Sequence, residues 1–376
     1  MLRRTHLYDF HARKGRMIEF AGFEMPLWYE GTVPECKAVR NSVGIFDTSH
    51  MGRALVSGDD STAFLNYITT NDVAALEVGR AHYSVMCNEN GGIIDDFIVN
   101  RLAEKQYLII PNAGNREKDL SWLRAKATQF KVEIHHVSDE VSMFAVQGPN
   151  AQKVLQEMFS EDLSTIPRFG GRNVNLDGIK ATVTRTGYTG EDGFEVFTWD
   201  SPVEQPSKAV TMWNAILDHG KASHIQPCGL GARDVLRLEA GMCLYGHDIT
   251  ESTTPLQARL SFVVRLAKSE FIGRDVLARE KADGPKRVRV GLKLLEAGIP
   301  RAECDVLRDS RILGKVTSGT FSPTIGQGIA MGYVPREYSK TGERLEIKVR
   351  GKELQAEVTG FPFYDTSKYG WQRTQR

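Results

Sequence analysis

The spacing of apolar and polar positions divides the chain into many short elements. A helix is predicted near 33–43, stopping before Gly44, and Arg53 to Ser57 reads as a short strand. Asp59-Asp60-Ser61 then offers caps for a helix carrying Phe64, Leu65, Tyr67 and Ile68. The stretch 81–147 is the most regular. Tyr83 to Cys87 and Ile93 to Val99 form a hairpin around the turn residues 88–92. A third strand follows over 106–111. A helix over 115–130 then places Leu120, Leu123 and Ala127 on one face. Strands over 131–137 and 141–146 complete the run. This order predicts an α+β sheet layered with helices and not a dinucleotide-binding array.

Further on, a helix is predicted over 149–159 with Pro149 near its start. A hairpin over 174–185 turns at Asp177-Gly178, and a strand runs over 193–197. Helices cover 210–219 and 231–240. From about Arg287 the pattern changes to short strand-like runs separated by Gly, Pro and Asp: 288–295, 315–318, 330–334, 345–349 and 354–358. Such spacing predicts a small β-barrel or sandwich, with a boundary near Glu251. No internal repeat stands out.

Composition narrows the class. The 376 residues include 41% hydrophobic and 25% charged positions, the mix of a soluble globular protein with two or three domains. No apolar run reaches the roughly 18 residues that cross a bilayer. The 48 Lys/Arg and 47 Asp/Glu give a net charge of +1, which argues against indiscriminate binding to nucleic acid or membrane. That balance is uneven. Residues 1–250 hold 25 basic and 32 acidic side chains, a net of −7; residues 251–376 hold 23 and 15, a net of +8. The basic third either reflects surface drift or faces an acidic ligand or partner. Five cysteines, odd in number and without a C-x-x-C pair, fit reduced thiols in a reducing compartment. The start Met-Leu-Arg-Arg enters polar sequence at once and shows no secretory signal, which points to the cytoplasm, or to the mitochondrial matrix for a mature organellar form. Nine histidines show no metal-ligand spacing, so no catalytic metal is expected, and neither a Walker A motif nor a G-x-S-x-G elbow is present.

Three blocks could carry chemistry. Asn90-Gly91-Gly92-Ile93-Ile94-Asp95-Asp96 brings two carboxylates into an apolar strand, where only one can face the interior. The pair is either a turn cap with one solvated face or a carboxylate kept for a ligand. In Thr184 to Glu195, Gly187, Gly190 and Gly193 alternate with Tyr188 and carboxylates. The block reads as a structured turn or as a ligand loop whose Glu195 faces paired N–H donors of a heterocycle. In Cys228 to Ala240, Gly229–Gly231 opens a helix on which Arg233 and Arg237 share a face. An arginine near a helix start opposes the macrodipole, so it implies ligand contact, a buried ion pair or a surface charge network.

Together these blocks closely resemble the folate-binding T-protein family, the aminomethyltransferases of the glycine cleavage system. Further matching blocks are Phe20 to Leu27, Val43 to Gly52, Thr70-Asn71-Asp72, Tyr83 to Met86, Gln147-Gly148-Pro149, Leu244 to Asp248 and Thr317 to Pro323. The resemblance implies a three-domain cloverleaf around a folate channel: α+β domains over 1–55 plus 141–250 and over 56–140, and a β-barrel over 251–376. It implies transfer of the one-carbon unit of an aminomethyl group, held on the lipoyl arm of H-protein, to tetrahydrofolate. The products are 5,10-methylenetetrahydrofolate, ammonia and the dihydrolipoyl arm. Asp96 matches the catalytic carboxylate, Glu195 the pterin-reading one and Arg233 the folate-contacting arginine. Met51, Tyr83, Asn112 and Tyr188 match pocket positions. Phe262 stands where the family has tryptophan, keeping an apolar ring and losing an N–H donor. The tail 362–369 matches in a loose register, which assigns the remaining ligand contact to Lys368 or Tyr369. Two other readings share the scaffold: a folate-dependent demethylase, and a non-enzymatic folate-binding protein of RNA modification or iron–sulfur assembly. Relatives of the latter kind typically carry a Lys-Gly-Cys-Tyr motif, which this chain lacks.

Overall fold

A computed structural model describes residues 2–268 and 270–374. Its main β-structures are a six-stranded sheet, a five-stranded sheet and a closed six-stranded barrel, with a two-stranded hairpin (Arg16–Phe20 and Phe23–Trp28) near the start. The α+β class with a C-terminal barrel is as the sequence predicts.

The six-stranded sheet runs Gly171–Leu176, Ile179–Thr184, Gly193–Thr198, Ser142–Gln147, Gly44–Asp47 and Gln226–Pro227. Its central strands are buried on both faces, so Ser142–Gln147 and Gly193–Thr198 read as continuous buried runs. Phe144, Val146, Phe194 and Val196 pack against helices Ala151–Gln156 and Ser207–His219. The opposite face meets helices Thr32–Asn41 and Leu230–Glu239 through Cys36, Val39, Val235 and Leu236. On that face too, Met143 and Phe197 join Leu108 and Ile110 of the five-stranded sheet. The edge hairpin turns where expected: Asp177 and Gly178 both have positive φ, 47° and 89°, the backbone that a tight two-residue turn requires.

The five-stranded sheet is ordered Ala81–Cys87, Ile93–Ala103, Gln106–Ile110, Ala54–Ser57 and Glu133–His136. Helix Ser61–Ile68 and helix Arg116–Lys126 cover one side through Phe64, Leu65, Leu120 and Leu123. The segment that follows the six-stranded sheet returns to this unit: Leu256, Leu260, Val263 and Phe271 pack on Val85, Cys87 and Ile93 of the first hairpin. In the barrel, Arg287–Leu294, Gln327–Pro335, Arg311–Ser322, Asp305–Arg308, Arg344–Val349 and Lys352–Thr359 close in that order around Val290, Leu292, Val316 and Ile347.

Some local expectations change. Asp60 occupies the cap position of helix Ser61–Ile68 but makes no side-chain cap bond; its carboxylate instead accepts the Lys131 N–H at 2.8 Å. Pro149 precedes helix Ala151–Gln156 and is not part of it. Strands Gly44–Asp47 and Asp305–Arg308, four residues each, are too short for alternation to mark them.

Helix Leu230–Glu239 joins the sheet to the barrel through buried charge. Arg40 bonds Glu239 at 2.8 and 3.1 Å, Glu191 at 3.0 Å and the Thr189 carbonyl at 2.8 Å. Glu239 also accepts from Ser322 at 2.5 Å and Thr324 at 2.8 Å of the barrel unit. Replacing Arg40 with Met leaves Glu239 without its cation in a dry site. We expect a loss of about 3–5 kcal/mol, measured as a lowered midpoint in urea unfolding.

Candidate active site

Asp95 and Asp96 lie opposite Met86 and Val85 in the hairpin, and the strand sends them to opposite faces. Asp95 is fully buried and Asp96 half-buried. The turn after Gln106–Ile110 brings Asn112 between them. Asn112 donates its backbone N–H to Asp95 at 3.0 Å. Its Nδ2 lies 2.8 Å from Asp95 Oδ1, 2.9 Å from Asp96 Oδ1 and 2.9 Å from the Asp96 carbonyl. Asn115 Nδ2 gives Asp95 a further bond at 2.6 Å.

The second oxygen of Asp96 accepts from the Tyr83 hydroxyl at 2.7 Å, across the hairpin. Burial, and then the nearby Asp95 charge, push the Asp96 carboxyl up to about 7. Hydrogen bonds from Tyr83 and Asn112 oppose that rise. A carboxylate with such proton affinity is suited to exchange a proton at neutral pH. The Tyr83 ring stacks on Phe262, with centroids 6.3 Å apart and planes at 27°. Phe262 is 59% exposed, a large apolar ring left in water beside the carboxylate.

The Gly-rich block wraps around Gln147. A Cβ at Gly187 would lie 2.0 Å from the Gln147 amide oxygen, so only glycine fits. Gln147 donates to the Thr186 carbonyl at 3.1 Å and accepts from Thr189 at 2.8 Å. The wrapped loop places the Thr186 hydroxyl 2.5 Å from Glu195 Oε2. Glu195 is 7% exposed, and burial raises its pKa despite Thr186 and Arg233. Tyr188 donates its hydroxyl to the Cys243 carbonyl, and its ring lies 4.6 Å beneath the Arg233 guanidinium.

The two arginines of the third block part company. Arg237 is committed to the protein: it bonds Asp248 at 2.6 Å, Asp234 at 2.8 Å and Ser318 at 2.9 Å. The Arg233 side chain forms no hydrogen bond or ion pair with the described residues; only its backbone N–H is bonded, to the Gly229 carbonyl at 3.1 Å. Tyr188, Glu195 and Arg237 act on it electrostatically, and burial lowers its pKa. Asp96, Tyr83, Tyr188, Arg233 and Glu195 thus form one electrostatic cluster.

Other candidates stand further out. Met51 packs in the apolar cluster between the two sheets, next to Gly52, whose N–H bonds the Pro111 carbonyl at 2.8 Å just before Asn112. Tyr369 meets Tyr364 edge-on at 6.3 Å, and Lys368 is exposed. Their segment braces the Gly-rich loop: the Gly370 N–H bonds Glu191 at 2.9 Å and the Trp371 N–H bonds the Gly190 carbonyl at 3.0 Å. Sequence reasoning passed over Asn115 and Asp119. Asp119 offered a signal, a carboxylate beside Leu120 and Leu123 on the buried stripe of a helix.

Residues 7–268 match the GCVT N-terminal domain, and residues 287–365 match the glycine cleavage T-protein C-terminal barrel domain. The chain belongs to the glycine cleavage T-protein family. Proteins named aminomethyltransferase from Desulfitobacterium hafniense and Alkaliphilus oremlandii are 42% and 44% identical to it. Those alignments cover 96% and 97% of this chain and 98% of each relative. The crystal structure of glycine cleavage system aminomethyltransferase T from Bartonella henselae superposes with a TM-score of 0.90 at 35% identity, covering 99% of this chain and all of that one. Among the described residues of this T-protein family member, no group of three or more His, Cys, Asp or Glu could hold a metal ion. Among them also, no helix is long and apolar enough to cross a membrane.

Because folding raises the Asp96 pKa, protonation favours the native state. The cost of its charge is present above pH ~7 and vanishes below the unfolded value near 4. Carboxyl NMR should find the Asp96 midpoint near 7 and lower in Asp95→Asn. Asp96→Asn should raise thermal stability at pH ~8 and not at pH ~4.

Proposed function

We propose that this chain is an aminomethyltransferase that passes the one-carbon unit of a lipoyl-bound aminomethyl group to tetrahydrofolate. The substrate's N5 supplies the nucleophile, and it must lose a proton as it bonds the carbon. The observation that carries this reading is a half-buried carboxylate, Asp96, held by Tyr83 and Asn112 in the same cluster as an arginine whose side chain has no acceptor among the described residues. The residues fit a folate. Glu195 keeps an acceptor oxygen beyond Thr186, suited to adjacent N–H groups of a pterin edge. Arg233 keeps its donors free among the described residues, suited to an anionic or carbonyl group. Tyr83, Tyr188 and Phe262 offer aromatic faces to flat rings.

Asp96 orients the amine, and its charge stabilises the carbon as ammonia leaves it; once N5 has bonded that carbon, Asp96 takes the amine proton directly or through a water, and the lipoyl sulfur departs with the electron pair of the broken S–C bond. Tyr83 and Asn112 hold the two carboxylate oxygens so that the group does not rotate away. Met51 lines the pocket, and Lys368 or Tyr369 contacts the outer part of the substrate. The reaction runs in the cytoplasm, or in the mitochondrial matrix for an organellar form.

The donor partner is lipoylated H-protein. The basic balance of residues 251–376 supports recruitment of an acidic partner or of the glutamate tail of folate.

Asp96→Asn should nearly abolish turnover with H-protein while tetrahydrofolate still binds; an active variant refutes the assignment. In the wild type, kcat should fall as pH drops through the Asp96 midpoint. Glu195→Ala and Arg233→Ala should each weaken tetrahydrofolate binding by about 1–3 kcal/mol in calorimetry. H-protein or folate affinity should decline steeply from low to high salt; flat affinity for both leaves the charge asymmetry without a role.

A further inference from the structure

Asp119 lies on helix Arg116–Lys126, one turn after Asn115, whose Nδ2 bonds Asp95 at 2.6 Å, and it is fully buried. Neither of its carboxyl oxygens accepts a hydrogen from any described residue. Among the described residues, no cation pairs with it. The neighbouring Lys118 directs its ammonium to the Ile94 carbonyl at 2.7 Å, the Tyr245 hydroxyl at 3.0 Å and Glu251 at 3.4 Å. A carboxylate with neither donor nor cation in a dry site is too costly to persist, so Asp119 keeps its proton. A protonated carboxyl is itself a donor, and the acceptor it meets is Asp95.

We propose that Asp119 is a positioning residue for the transfer reaction: its carboxyl donates a hydrogen bond to Asp95, and through Asn112 this bond fixes the orientation of Asp96. Asp95 has room for a fourth donor beside the two Asn112 bonds and the Asn115 bond, because an ionised carboxylate offers about four lone-pair sites. All of these donors are neutral. They anchor Asp95 without cancelling its charge, which a lysine or arginine at 119 would do. One negative charge therefore remains beside Asp96 and raises its proton affinity. Burial and that same charge hold the Asp119 proton to about pH 11. Asn112 is the shared element, since its Nδ2 bonds both carboxylates at once. Rotation of Asp95 would draw Asn112 off Asp96. Asp119 itself has no exposed surface and does not touch substrate.

The rival account is that Asp119 only fills space beside Leu120 and Leu123. Asp119→Asn keeps the shape and the donor; Asp119→Leu fills the space and removes the donor. The Asn variant should keep kcat and the tetrahydrofolate KM within about threefold of wild type. The Leu variant should lose on the order of 30- to 100-fold in kcat with KM nearly unchanged. At pH ~9, where Asp96 is ionised, the infrared difference between wild type and Asp119→Asn should contain the carbonyl stretch of a protonated acid. A folded Leu variant with wild-type kcat overturns the proposal, as do equal losses in both variants or an absent acid band. If the Leu variant does not fold, the band and the Asn variant decide alone. The inference rests on Asp96 acting on the substrate, and the infrared band tests the carboxyl pair without turnover, so the two can fail separately.

Discussion

The fold depends on charge buried in helix Leu230–Glu239. Four of its ten residues, Arg233, Asp234, Arg237 and Glu239, carry charge, and the last two have almost no contact with water. Glu239 holds Arg40 of the sheet side and two hydroxyls of the barrel side. Arg237 holds Asp248, which also accepts from Thr317 at 2.5 Å and Ser318 at 2.9 Å. Buried ion pairs add little net stability, but they are unforgiving of misalignment. Their effect here is geometric. These directional bonds align the barrel side with the helix that carries Arg233, one turn before Arg237.

The carboxylate cluster follows the opposite rule. Around Asp95 and Asp96 the donors among the described residues are amides and a phenol, and none of these residues brings a cation into direct contact. Neutral donors orient a carboxylate without quenching its affinity for a proton. The molecule thus uses paired charge where it needs rigidity and unpaired charge where it needs reactivity. Arg233 and Arg237, four residues apart, mark the border between the two.

Much of this was legible in the sequence. The hairpin carrying Asp96, the turn at Asp177-Gly178 and the strand-rich last third follow from alternation and turn chemistry. The family blocks named Asp96, Glu195 and Arg233, and the structure groups these in one cluster. Sequence could not divide the labour between Arg233 and Arg237, because the acceptors that claim Arg237, Asp248 and Ser318, lie outside its helix, the second 81 residues further on. It could not place Asp119 against Asp95 for the same reason. Nor could it show that Gly187 is dictated by Gln147, forty residues earlier. Periodicity encodes which face a residue occupies; it does not encode what waits opposite that face.

The docking of the barrel also has a consequence for the order of events on the ribosome. The match to the N-terminal domain ends at residue 268, whereas the partners of Arg237, Glu239 and Asp248 lie at 317, 318, 322 and 324. Glu191 gains its contacts from Gly370 and Arg373 later still. The nascent chain therefore carries buried charges that have their ionic partners, Arg40 with Glu239 and Arg237 with Asp248, but lack their remaining donors until the barrel has emerged. The contacts that tie these charges to the barrel and tail are made last, when synthesis has delivered residues 317 to 373.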